Sequence, residues 1–265
     1  MVLETIYVLR HANRVHYNLD SKTGVYSSAY GIANPTGLGN DPVLAAHGVE
    51  QSKEFANHIS QLDPPVDIIY SSPFYRCLQT LTPALETVFS QRKEFPLVRV
   101  ENGIGEFFGR AHFHHPSPAP PSVLLSHFPS IDPTYRPIIT PATNGETIPG
   151  LHNRLAYALH RMILDLDAHP AQPRSVLICS HAATIIAVGR VLTGRMPEDE
   201  SEDDFDAFTC GLSKFNRRVK SPVRGVVGGW DCELNSDCSF LAGGQEYGWH
   251  FNGDESFIDD KKSVL

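Results

Sequence analysis

The residues best suited to chemistry fall in clusters, each just past a run that reads as a strand. The first is "IYVLRHANRVHYN" (6–18), where an apolar run ends in Arg10 and His11, with Arg14 close behind. Two cations and an imidazole in one turn repel one another unless an anion sits among them. Phosphate is the anion that arginine forks match bidentately. "SSPFYRCLQT" (71–80) supplies Arg76, "SVLICSH" (175–181) supplies His181, and "GIGEFFG" (103–109) supplies Glu106. Phosphoryl transfer needs this set: positive charge around the equatorial oxygens, an in-line nucleophile and a proton for the leaving group. A neutral imidazole can attack, a second can donate to a phosphate oxygen, and a carboxylic acid can protonate the departing oxygen. Taken singly, each residue has a plainer reading. An Arg-His pair after a strand is ordinary, His181 fits a hydrogen-bonded core histidine, and Glu106 fits a surface acid. The joint pattern of RHxxxR, SSPxxRCxQT and SH carries the inference.

The elements that would position these residues alternate. Residues 3–9, 66–70, 96–100 and 175–180 read as buried strands. Residues 48–62, 71–89, 147–167 and 182–192 read as helices. Of these, 147–167 is the clearest, with Leu151, Leu155, Leu159, Met162 and Leu166 on one stripe. The alternation predicts an α/β fold, a three-layer α/β/α sandwich with a mainly parallel central sheet. In such a sheet the chemical residues converge at the carboxyl ends of the strands. Residues 102–146 interrupt the pattern and read as a lid-like insertion in a domain spanning 1–220. Residues 221–265, rich in glycine and aromatics, read as a small C-terminal extension packed on that domain.

Composition narrows the field. The 265 residues carry a formal charge of -8, and seven of the acids lie in "EDESEDDFD" (Glu198–Asp206), so most of the chain is near neutral. No basic footprint for direct nucleic-acid binding is present, and "RRVKSPVR" (217–224) reads as a solvated loop. The five cysteines form no CxxC pair, and Cys232 and Cys238 read as free thiols. No apolar run is long enough for a membrane span, and no signal peptide is visible. The expectation is a protein that is cytoplasmic, nuclear or both, and not secreted. His112, His114 and His115 have no clear tetrahedral spacing, so neither a metal nor another cofactor is expected.

These motifs resemble the histidine phosphatase superfamily, in its phosphoglycerate-mutase-like branch, over roughly residues 3–195. "DPVLAAHGVEQS" (41–52) is similar to the family's segment after the nucleophile loop, and "NGETIPGLHNR" (144–154) to its turn into a helix. The resemblance implies a metal-independent phosphatase in which His11 is the nucleophile, forming a phosphohistidine. Arg10, Arg76 and His181 would hold the phosphoryl group, Arg14 would add to the cradle, and Glu106 would be general acid and then base. Two positions depart from the pattern: Ala12 stands where glycine is usual, and Tyr17 stands where the mutases carry asparagine, against a sugar-phosphate mutase. Within the superfamily the chain is similar to fungal proteins related to the phosphatase-domain subunit of transcription factor TFIIIC. This implies an alternative role as a subunit of a transcription complex, with protein partners there. Those relatives carry other residue types at positions 13 and 15, here Asn13 and Val15.

The substrate expected is a small-molecule or peptide phosphate. The aromatic run after Glu106 suggests an apolar wall beside the leaving group, formed by Phe107 and Phe108 with Asn13 and Tyr17 at the pocket mouth. Such a wall suits an aryl or lipid-like phosphate, or an apolar biosynthetic (di)phosphate. The plainer reading is that the aromatics pack the insertion onto the sheet.

Overall fold

The computed structural model describes residues 3–31, 33–87, 97–218, 226–253 and 256–258. Its centre is a six-stranded sheet of β1 (Thr5–Arg10), β4 (Ile68–Ser71), β5 (Val98–Val100), β6 (Ser175–Ser180), β7 (Leu212–Arg217) and β8 (Trp230–Asp237), in the order β5-β4-β6-β1-β7-β8. A separate hairpin pairs β2 (Tyr17–Asp20) with β3 (Val25–Ser28). β5, β4, β6 and β1 run parallel, while β7 and β8 add an antiparallel edge. The sheet is therefore mixed, with a parallel core. The aromatic segment near the C-terminus supplies β8 directly to this sheet.

Alternation along the strands sets the layers. Ile6 and Val8 of β1, with Val176 and Ile178 of β6, face α4 (Ile148–Asp167) and α5 (Ala182–Thr193). Tyr7, Leu9, Leu177 and Cys179 face the opposite core, built on α1 (Ala46–His58) and α2 (Tyr75–Thr87). Successive strand side chains point to opposite faces, so two helical layers cover one sheet.

Helix boundaries follow local chemistry. Thr147 caps α4, its hydroxyl accepting from the Gly150 N–H at 3.1 Å, and Gly194 ends α5 with φ 72°. The helix expected over 71–89 begins only at Tyr75. Ser71 still belongs to β4, paired with Val100 and Cys179, and the chain turns at Ser72-Pro73 before the helix starts. Residues 88 and 89 of that expectation, and 96 of the strand expected over 96–100, lie outside the described residues.

The insertion is ordered around buried charge. It contains one short α-helix, α3 (Pro121–His127), and a 3-10 turn at Asn102–Ile104. The fully buried Glu101 carboxylate accepts from the Gly103 and Ile138 amides and the Tyr135 hydroxyl at 2.6–2.8 Å. Arg154 of α4 donates to the Gly103 carbonyl at 2.8 Å and to the Glu146 carboxylate, which ties both ends of the insertion to α4. Gly145 is required there: its φ is 81°, and a Cβ would lie 2.2 Å from the Gly109 carbonyl oxygen. The acidic run is likewise engaged, with Asp204 pairing with the buried Arg190, which also donates to the Glu200 and Glu202 carbonyls. The part of "RRVKSPVR" that is described forms ion pairs: Arg217 with Asp167 and Arg218 with Asp231. All five cysteines are free thiols. No helix among the described residues is long and apolar enough to cross a membrane.

Candidate active site

His11 follows β1, His181 follows β6, Arg76 opens α2 after β4, and Glu106 lies just beyond β5, so neighbouring strands deliver all four to one sheet edge. His11 and His181 pack edge to face with ring centroids 5.3 Å apart. His11 Nδ1 lies 2.8 Å from the Ala12 carbonyl oxygen. A carbonyl only accepts, so Nδ1 carries the proton and Nε2 keeps its lone pair. Burial holds the His11 imidazole well below its ordinary range, helped by the charges of Arg76, His181, Arg10 and Arg14. Neutral His11 is therefore the form present at neutral pH.

Arg76 is fully buried, and its two terminal nitrogens face anionic and carbonyl partners. It donates to Glu106 Oε2 at 2.8 Å and to the Asn40 carbonyl at 3.2 Å, and reaches Asp41 Oδ1 at 3.5 Å. Burial alone would lower its affinity for a proton, but Glu106 and Asp41 outweigh that and raise it. Asp41 is pushed up to about 6 by burial against the pull of Arg76. Glu106 also lies 3.2 Å from His181 Nδ1. Burial would raise the Glu106 carboxyl, yet His181 and Arg76 overcome it and hold it well below the usual carboxylate range. Burial lowers His181, while Cys77 and Glu106 raise it to a net upward shift. Ser72 Oγ lies 2.6 Å from His181 Nε2 and fixes the other edge of the ring.

Arg10 is held from the far end of the chain. Its Nη1 donates to the Ala207 and Tyr247 carbonyls, both at 2.5 Å. Burial brings it down to about 10, still a cation at neutral pH. The side-chain Nε atoms of Arg10 and Arg76 are buried without a partner. Arg14 donates to the Val15 carbonyl at 3.0 Å and lies 4.5 Å from the centroid of the Tyr17 ring.

Backbone contacts position the nucleophile loop. The Ala12 N–H donates to Thr80 Oγ1 at 3.0 Å, and the Asn13 N–H donates to Gln51 Oε1 at 2.9 Å. Ala12 is completely buried in the core, so a methyl replaces glycine there without exposure. Gly48 of α1 packs directly on this loop: a Cβ there would lie 1.9 Å from the Asn13 carbonyl oxygen. The Glu106 loop is fixed in the same way, by Ser180 Oγ donating to the Ile104 carbonyl at 2.7 Å and Thr184 Oγ1 donating to Gly105 at 2.9 Å.

The aromatic wall differs from expectation. Phe108 contributes, stacking on His115 at 4.7 Å and meeting Tyr26 edge to face at 6.2 Å. Phe107, the next residue, turns the other way and packs on Phe251 at 5.9 Å in the α4–α5 core. That packing places Phe107 away from the pocket mouth. Its place is taken by residues that the sequence did not flag: Phe74, 5.2 Å from the His181 ring, and Tyr26, 5.6 Å from Tyr17. Tyr26 comes with the β2–β3 hairpin, and its hydroxyl lies 2.6 Å from His115 Nδ1. His115 is thus engaged as a packing residue, and His112 and His114 contact the Lys22 carbonyl and the Thr143 hydroxyl. Among the described residues no group of three or more His, Cys, Asp or Glu side chains is arranged to hold a metal ion. Asn13 is used through its backbone.

A parallel-core sheet with two histidines, arginines and a carboxylate at its carboxyl edge is an arrangement suited to holding a phosphoryl group. The histidine phosphatase superfamily (branch 1) matches residues 6–223, and the chain belongs to it. It is 30% identical over 274 aligned residues to the transcription factor tau 55 kDa subunit of Saccharomyces cerevisiae, covering 95% of this chain and 59% of the yeast protein. It is 24% identical over 217 residues to the ecdysteroid-phosphate phosphatase of Drosophila melanogaster, covering 74% of this chain and 28% of that one. The chain therefore spans only part of the length of these curated relatives. Among solved structures, the ecdysone phosphate phosphatase of Bombix mori, in complex with tungstate, matches with a TM-score of 0.60 at 19% identity, over 86% of this chain and 91% of that one. The phosphoglycerate-mutase-like α/β fold is the same.

Proposed function

We propose that the chain is a metal-independent phosphomonoesterase that works through a phosphohistidine on His11. The observation that carries this is the 2.8 Å contact of His11 Nδ1 with the Ala12 carbonyl, which leaves Nε2 as an unprotonated nucleophile amid Arg10, Arg76 and His181. In this reading Nε2 attacks phosphorus, and Arg10, Arg14, Arg76 and His181 offset the charge on the phosphoryl oxygens. Glu106 protonates the leaving oxygen, then takes a proton from the water that releases phosphate. Glu106 is a carboxylate while Arg76 and His181 hold it. A phosphoryl group bound by those donors competes for them, and its negative charge raises the proton affinity of Glu106. The fixed arginines provide the positive charge that a metal ion supplies in other phosphatases. The test is to quench the protein during turnover of an aryl phosphate and map the adduct. Phosphate on His11, absent in His11→Ala, is expected. Steady turnover by His11→Ala would end this reading.

A second reading is favoured by one finding, the match to the yeast tau subunit across 95% of this chain, including the C-terminal segment. In it the protein joins an assembly of the transcription machinery in the nucleus, with or without use of its pocket, and a phosphopeptide is then a candidate substrate. Affinity capture from nuclear extract should recover transcription-factor subunits; their absence would remove this role.

A further inference from the structure

Two adjoining chambers lie beside Glu106. The inner one, about 40 Å³, is bounded by Glu106, Phe74, Phe108 and His115. The outer one, about 480 Å³, runs along α3 over Leu124, Leu125, Ile131 and Tyr135. Asn102, Ser117, Pro118 and Thr140 line both, so the chambers meet at these residues. At that junction Asn102 Nδ2 donates to Thr140 Oγ1 at 3.2 Å, a bond across the two sides of the insertion.

The outer chamber is built for an apolar occupant. Its volume falls within the ~300–1,000 Å³ range of small-molecule pockets. Its two charged lining residues are already satisfied locally: Asp132 accepts from the Thr134 amide and hydroxyl, and Arg136 donates to the Pro133 and Tyr135 carbonyls. Prolines at 73, 118, 120, 121, 133 and 137 stiffen the walls, so the shape is preformed. The narrow inner chamber sets the cross-section of whatever joins the phosphate to the outer one.

We infer that the site takes phosphate esters of long, linear apolar alcohols: the ester oxygen sits at Glu106, the chain threads the junction at Ser117, and its tail fills the outer chamber. A linear chain passes the inner chamber, whereas a rigid polycyclic group does not. This rests on the phosphatase reading for the placement of the ester, and deepens it by naming the substrate class.

Binding and turnover test the two claims separately. Calorimetry would compare ethylphosphonate with dodecylphosphonate below its micelle concentration, and with a steroid phosphonate. Each buried methylene contributes about a fourfold gain in affinity, so dodecylphosphonate should bind at least about a hundredfold more tightly than ethylphosphonate. Ser117→Trp at the junction and Leu125→Ser in the outer chamber should each erode that gain, and Leu125→Ser should leave ethylphosphonate binding and p-nitrophenyl phosphate turnover unchanged. Equal affinity for the short and long chains, or a gain untouched by both variants, overturns the assignment. A steroid phosphonate that gains as much as the linear chain overturns its linear part. A chain-length gain with no turnover of any ester supports the chamber and overturns the phosphatase reading instead.

Discussion

Glu106 Oε2 sits 2.8 Å from Arg76 Nη2 and 3.2 Å from His181 Nδ1, so the carboxylate shares its two nearest cationic partners with the phosphate it is proposed to serve. Glu106→Gln keeps the shape and removes the acid–base function. Hydrolysis of alkyl phosphates should fall by about 10²–10⁴, and that of p-nitrophenyl phosphate much less, because a good leaving group needs no acid. A plot of kcat/KM against leaving-group pKa checks this; equal losses for both classes would contradict the acid role.

Arg76→Lys should abolish turnover and lower stability together. A single ammonium cannot serve Glu106, Asp41 and the Asn40 carbonyl at once, and buried Asp41 is left without its partner. Breaking a buried pair costs about 3–5 kcal/mol, readable as a shift of the urea midpoint.

Gly48→Ala tests the packing of α1 on the nucleophile loop. The added methyl meets the Asn13 carbonyl, so either the helix or the loop must move. The expected cost is about 1–3 kcal/mol, with a drop in kcat that exceeds what the lost stability explains. Gly244→Ala, where φ is 65° and nothing lies near the new methyl, is the control: strained locally, neutral for kcat.

Stability should fall on the acid side. His152 is buried and brought down to about 4, chiefly by burial and then by Arg190, while Asp204 works the other way. Its Nε2 has no partner. The unfolded chain thus binds more protons than the folded one between pH 4 and 6.5, so this stability is present above 6.5 and is lost as the pH falls towards about 4. The full loss is about 3 kcal/mol. His11, shifted in the same direction, adds to the slope. Urea midpoints at pH 7 and pH 5 should converge in His152→Leu relative to the parent; an unchanged slope would remove His152 as its source.

The sheet edge was legible from the chain because each chemical residue follows its own strand by one or a few positions. Arg10-His11 and Ser180-His181 are adjacent to strands whose burial is written in continuous apolar runs. What was not legible are partners contributed from a distance. Asp41 lies 35 residues before Arg76, and Tyr26 reaches the wall only through a hairpin of four-residue strands with no fully buried position. Phe107 and Phe108 look equivalent as letters; only the direction of the backbone past Glu106 separates a core residue from a wall residue. The antiparallel edge was missed for a related reason. β7 carries polar residues among its apolar ones, and β8, the edge strand, alternates buried or half-buried with exposed positions, so neither shows the continuous apolar run of a central parallel strand.

The grip of the Tyr247 carbonyl on Arg10 couples the two ends of the chain in time as well as in space. Arg10 leaves the ribosome early, and the atom that orients it arrives 237 residues later. A nascent or proteolytically shortened chain that lacks this segment keeps the Ala207 contact to Arg10 but not the second carbonyl that completes its orientation. In the proposed reaction, the pair of carbonyls that orients Arg10 beside the nucleophile is therefore complete only once synthesis has passed residue 247.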